Sequence, residues 1–298
     1  MRDVLNARGA PVLGAYVVPE AGDREAAAGA ARAVRAAGAD FIVTATSGPE
    51  RSQYTSTNQS IDLAAACLRR AEVPAVATVT TWSRTVMALQ AHLLGAHARG
   101  ITRLVCGSGS PPPTGDHARV DGRWTVDAVG LIELLRGLNE GRDRYGLRLE
   151  AATHFDIGVR IRAVPRLSEA DRVRIRTKID AGAHSIVTSP VYTRAALEPL
   201  LDVVDGAVPV FATVHPLRSV AEAELLRGEL PAGCVPEELV RRLADAADGD
   251  GFAQEAGRAA VEAATVCADG TQGVILSRAD RPELVARVRA ALPRRVAG

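Results

Sequence analysis

The chain has 298 residues with 36 basic against 35 acidic side chains, and 47 % of it is hydrophobic while only 3 % is aromatic. A near-neutral balance, with Arg interleaved among Asp and Glu, leaves no basic footprint for nucleic acid, and no apolar stretch reaches the ~20 residues of a membrane span. The four cysteines, Cys67, Cys106, Cys234 and Cys267, are too scattered for a zinc knuckle or a disulfide framework.

The start, MRDVLNARGAPVLGAY, lacks the apolar run of a signal peptide, so a cytoplasmic protein is expected. Along the chain, short β-branched runs alternate with longer Ala/Leu/Arg segments of helical period, the pattern of repeated βα units. Eight strands are predicted, at residues 11–18, 40–46, 74–80, 102–107, 147–155, 184–190, 208–215 and 272–277. Ser83, Ser168 and Ser219 are placed to cap the helices that follow strands three, five and seven. Gly100, Gly182 and Gly206 stand where helices must turn into the next strand. Eight such units predict an α/β fold, a single (βα)8 barrel domain over residues 1–298. The surplus lies in the Pro/Gly-rich loop SGSPPPTGDHARVDGR after strand four and in an extra helical segment at 227–268. The Ala-rich face of that segment reads first as intramolecular packing and second as an interface with another copy or a partner.

In such a barrel the chemistry belongs to the C-terminal ends of the strands. Those ends are rich in hydroxyls and poor in carboxylates, which suits a large polar ligand and predicts no metal. Thr44, Thr46, Asp156, Ser189, Tyr192 and His215 are expected to face the substrate. His154 and Asp156, put at the end of strand five, are the nearest thing to an acid–base pair. Glu20 is either a site carboxylate or the acidic first turn of helix one, and Lys178 either binds an anion or answers the helix dipole. Cys106 reads as a small buried residue.

The order of segments resembles the methylenetetrahydrofolate reductases. The likeness is carried by ADFIVTATSG followed by TSTNQSI, by VATVTTWSRTVMALQAHLLGAHARGITRLVCGSGSPPP, by WTVDAVGLIELL, by IRTKIDAGAHSIVTSPVY, and by VFATVHPL followed by VPEEL. It implies a barrel that binds FAD and a reduced folate at the strand ends. Several of the family's motif residues are exchanged. The proton-donating glutamate of its Phe-Glu-x-x-Pro sequence stands here as Tyr16, and the aspartate of its Arg-Gly-Asp turn as Ser108, with Gly107 kept. The strand-three histidine becomes Thr78, and the pterin-reading glutamine becomes Ser189. On the flavin side the resemblance assigns Thr57, Trp124, Asp171 and Lys178, together with Thr78, Gly107 and His154.

By that resemblance the protein is expected to be an oxidoreductase acting on a tetrahydrofolate-bound one-carbon unit, with FAD and NAD(P)H as cofactors and Tyr16, Glu20 and Ser108 as catalytic residues. Two alternatives stand beside it. One is a flavin-free, folate-dependent one-carbon transferase or demethylase; the other is a non-catalytic paralogue that binds a ligand or partner.

Overall fold

A computed structural model describes residues 11–18, 23–45, 57–82, 84–109, 125–246, 250–278 and 281–293. Its eight strands, β1 (Val12–Val17), β2 (Phe41–Thr44), β3 (Ala75–Thr80), β4 (Arg103–Gly107), β5 (Asp156–Ile161), β6 (Ser185–Pro190), β7 (Val210–Val214) and β8 (Gly273–Leu276), are all parallel. They close in sequence order into a barrel. The helices around it are α1 (Arg24–Ala36), α2 (Thr57–Ala71), α3 (Val86–Ala98), α4 (Ala128–Asn139), α5 (Glu169–Asp180), α6 (Arg194–Val204), α7 (Val220–Glu229), α8 (Glu237–Asp245), α9 (Asp250–Ala268) and α10 (Pro282–Ala291).

Seven predicted strands coincide with observed ones, and the fifth does not. The run 147–155 is turn and irregular structure, and β5 starts at Asp156. Alternation alone does not separate the two runs, since Leu147, Leu149 and Ala151 alternate as Ile157, Val159 and Ile161 do. Ile157, Val159 and Ile161 pack outward against the helices, whereas Leu147 is exposed in a turn where the Asp143 carboxylate accepts its N–H. Ser168 and Ser219 cap α5 and α7 as expected, with their hydroxyls accepting from the N–H groups of Asp171 and Glu222. The cap of α3 is Thr85, two residues beyond Ser83, which lies outside the described residues. Gly100, Gly182 and Gly206 all adopt positive φ after their helices.

The surplus after β7 is helical, as predicted. The alanines of α9 (Ala256, Ala259, Ala260, Ala263 and Ala264) are buried in the same core as the barrel's outer wall, so their face serves intramolecular packing. Among the described residues no helix is long and apolar enough to cross a membrane.

Two apolar clusters reflect the alternation of side chains along each strand. Leu13, Ile42, Ala77, Leu104, Val159, Ile186, Ala212 and Val274 point out to the helices, while Val12, Tyr16, Phe41, Val43, Val76, Val105, Val187, Phe211 and Ile275 fill the lumen. Following the strand registers around the barrel, with one residue of advance per strand as closure requires, sorts the lumen into layers of four from alternate strands. Gly14, Val76, Gly158 and Phe211 form one layer and Val43, Val105, Val187 and Ile275 the next. Above these lie Tyr16, Thr78, Arg160 and Thr213, and above them Ala45, Gly107 and Ser277, with Ser189 at the same level where β6 is irregular between Val187 and Pro190 and its hydroxyl accepts from the Ala163 N–H at 3.2 Å. The lumen therefore changes from apolar to polar in one step, just below the mouth.

Candidate functional site

The polar layer forms the floor of the mouth. β1 and β5 face each other across the barrel, and the Arg160 guanidinium spans the gap to donate from Nη2 to the Tyr16 hydroxyl oxygen at 2.6 Å. The guanidinium carbon lies 5.9 Å from the Tyr16 ring centroid. Tyr16 is buried, whereas Arg160 reaches solvent. On the other diagonal, Thr78 of β3 and Thr213 of β7 are 6 % and 4 % exposed, and neither Oγ1 has a hydrogen-bond partner. The layer above consists only of small residues, and a Cβ built on Gly107 would meet nothing within 4 Å.

Beside the floor, a buried network ties β7 to β8 and α7. His215 Nδ1 is 2.6 Å from Ser277 Oγ, and its Nε2 is 3.2 Å from Glu222 Oε1. Glu222 also accepts from Arg278 Nη1 at 2.8 Å and from the Arg218 N–H at 2.7 Å. Burial pushes the Glu222 carboxyl up, but the hydrogen bonds from His215 and Arg218 and the charges of His215 and Arg278 outweigh it and hold the group at about 2. Tyr192 donates to the His215 carbonyl at 2.7 Å. Its phenol is pushed well above the usual range, by burial first and by Glu222 second.

The structure brings together some of the predicted residues and separates others. Tyr16, Thr78, Gly107 and Ser189 stand in the two top layers; Ser108 follows β4 at the mouth, and its carbonyl accepts from the Thr81 hydroxyl. His215 and Tyr192 lie in the buried network next to them. His154 and Asp156 do not reach the mouth. Because β5 begins at Asp156, paired in register with Arg103 at the start of β4, both residues lie at the opposite end of the barrel. There the His154 ring packs edge-on against His97 at the end of α3, with Nδ1 and Nε2 2.8 Å apart, and Asp156 lies 3.6 Å from His184. Thr44 points outward, donating to the Ser60 carbonyl of α2 at 2.7 Å. Asp171 completes the capping box of α5, its carboxylate accepting from the Ser168 N–H and hydroxyl.

Lys178 is half-buried in the last turn of α5; burial lowers its ammonium below the usual range, and attraction to Asp127 opposes the shift. Glu20, Thr46 and Trp124, with the side chain of Thr57, lie outside the described residues. Cys106 points into the outer core, where burial pushes its thiol up to about 12, as suits a packing residue. The described residues contain no group of three or more His, Cys, Asp or Glu side chains suited to a metal.

Sequence reasoning missed two residues. Arg160 was lost with the misplaced fifth strand; the Ile-x-Val-x-Ile alternation would have put it on the inward face. Glu222 sits four residues after Arg218 on a helix of ordinary composition, and no local signal marks it.

No curated protein matches the chain. Among solved structures, the coenzyme F420 dependent tetrahydromethanopterin reductase of Methanopyrus kandleri superposes with a TM-score of 0.57 at 10 % identity, covering 94 % of this chain and 97 % of that one. A Mycobacterium tuberculosis tryptophan synthase gives 0.53 at 16 % identity over 99 % and 96 %. A 2,3-dimethylmalate lyase gives 0.50 at 16 % over 76 % of each chain. At such identities these are likenesses of fold. The methylenetetrahydrofolate reductase family model matches residues 16–278. That span runs from Tyr16 at the end of β1 to Arg278 just past β8, so it takes in every strand end that borders the mouth, and the chain belongs to the methylenetetrahydrofolate reductase family.

Proposed function

We propose that this chain is an oxidoreductase acting on a one-carbon unit carried by a tetrahydrofolate, with the reaction centred above the Tyr16–Arg160 floor. The observation that carries the reading is the family match over 16–278, which covers the whole mouth. The residues present fit a flavin in two respects: a Cβ on Gly107 would meet nothing within 4 Å, so the backbone there can be approached closely, and the unpartnered Thr78 hydroxyl can give a hydrogen bond. Thr78, Gly107 and Lys178 are the residues that would hold it. A bound flavin supplies a hydride taken from NAD(P)H.

The chain's own part is to position the folate and supply a proton. Opening a methylene bridge requires protonation of the departing nitrogen. Tyr16 occupies the position of the family's glutamate, and its oxygen accepts from Arg160, which leaves its O–H free to donate toward the substrate. Ser189 and Ser108 flank the space above as hydrogen-bonding partners for a pterin. The exchange of the family's two carboxylates favours a second reading, a folate-dependent one-carbon transferase without flavin, in which the same floor orients the same substrate.

The visible spectrum of the purified protein separates the two. Flavin absorption, or its uptake on adding FAD, followed by bleaching with NADH and recovery with methylenetetrahydrofolate, is the expected result. A protein that takes up no flavin yet binds tetrahydrofolate would overturn the oxidoreductase reading in favour of the transferase.

A further inference from the structure

We infer that the floor of the mouth is a seat for a compact oxyanion of the substrate, a carboxylate or phosphate group held by Arg160, Tyr16, Thr78 and Thr213. The inference rests on the reading of the mouth as the site and uses two residues of the proposed function, Tyr16 and Thr78.

Three observations carry it. First, the resemblance places two carboxylates in the family's mouth, at the positions of Tyr16 and Ser108, and neither is acidic here. Among the described residues of the mouth the carboxylate is Glu222, already bonded to His215 and Arg278. Among the described residues over the lumen, Arg160 carries a permanent charge and its side-chain partner is a neutral phenol. At these positions a cation faces the lumen where the resemblance places carboxylates.

Second, buried hydroxyls are normally paired, because leaving one unsatisfied costs free energy. Here two threonines on opposite strands, both more than nine-tenths buried, leave Oγ1 unpartnered in the same layer as the guanidinium. Valine has nearly the shape of threonine, so a fold that needed only volume at those places would lose nothing with valine. The hydroxyls are explained if an acceptor comes to lie between them.

Third, all four groups are donors. A guanidinium with N–H groups to spare, a phenol and two hydroxyls converging from four strands match a small anion with several lone pairs. The layer above them consists of small residues, and a Cβ on Gly107 there would meet nothing within 4 Å.

Calorimetric titration of the purified protein with sodium phosphate and, separately, sodium malonate, at ionic strength held constant with sodium chloride, tests this. Saturable binding of one of them is expected, and the better of the two distinguishes the tetrahedral from the planar group. Arg160→Met should weaken it about tenfold or more, as loss of a charged hydrogen bond does, and Arg160→Lys should retain part of it. Thr213→Val should weaken binding a few-fold while raising the melting temperature of the ligand-free protein, since it removes an unsatisfied hydroxyl. Absence of saturable binding by either anion, equal affinity in Arg160→Met, or a lower melting temperature for Thr213→Val would each overturn the proposal. Neither flavin uptake nor folate turnover enters these readouts, so this inference and the proposed function can fail separately.

Discussion

The two ends of the barrel handle polar groups in opposite ways. At the N-terminal end, Asp40 is 5 % exposed, yet it accepts from the Leu13 N–H at 2.8 Å and pairs with Arg289 of α10. Arg289 donates in turn to the carbonyls of Gly38 and Pro11. One ion pair thus joins the last helix to the first two strands, where the barrel must close. At the C-terminal end, two buried hydroxyls stand without partners and a guanidinium faces solvent. The first end spends its polar groups on the fold; the second holds them ready for something else. Paired groups indicate stability, and unpaired buried ones indicate a ligand.

The largest effect is expected at the closing ion pair. Asp40→Ala leaves the buried part of Arg289 and the Leu13 N–H without their acceptor, and should cost about 3–5 kcal/mol in urea denaturation. A loss under ~1 kcal/mol would mean that closure does not depend on this end.

Next comes the one strongly perturbed carboxylate near the mouth. The Glu222 carboxyl lies at about 2 in the folded protein against an ordinary 4.5. A carboxylate depressed on folding stabilises the protein above its unfolded pKa, and the contribution disappears as the pH falls through the folded one. The chain should therefore lose up to about 3 kcal/mol of stability between roughly pH 4.5 and 2 from this group. Glu222→Gln should flatten that part of the pH profile, and an unchanged slope would remove Glu222 from the account.

Smaller effects sharpen the contrast between layers. Gly158, in the apolar lumen, would put a Cβ 2.9 Å from the Leu104 carbonyl oxygen and 3.1 Å from Ser185 Oγ. Gly158→Ala should cost about 1–3 kcal/mol through overpacking. Gly107→Ala, three layers higher, where a Cβ would meet nothing within 4 Å, should change stability by less than ~0.5 kcal/mol. Equal effects of the two alanines on thermal unfolding would show that the lumen is no more open at the mouth than in its middle.

Most of the barrel was legible because parallel strands buried on both faces must be apolar and β-branched, and runs such as DFIVTAT and VPVFATVH announce themselves. The site was legible only in part. Tyr16, Thr78, Gly107 and Ser189 follow from knowing where strands end. Thr44 was misjudged because parity along β2 sends it to Ser60, and a strand end read by position alone does not reveal parity. Arg160 was missed because an arginine in the middle of DIGVRI interrupts an apolar run, while LRLEAATHF just upstream offers the same alternation, with Leu147, Leu149 and Ala151 on one parity. The feature that spoiled the strand signal is the one that distinguishes the mouth.

The layered lumen has a consequence for how such a protein can change. Tyr16, Thr78, Arg160 and Thr213 come from alternate strands, so each is separated from the next by two whole βα units, and none is a neighbour of another along the chain. Beneath them lies a level of three valines and an isoleucine contributed by the other four strands. A substitution at Thr78 or Thr213 therefore alters one donor and leaves the packing beneath it in place, whereas Tyr16 and Arg160, joined across the lumen by a hydrogen bond, answer to each other. The mouth behaves as a socket in which two pins can be exchanged singly and two only as a pair.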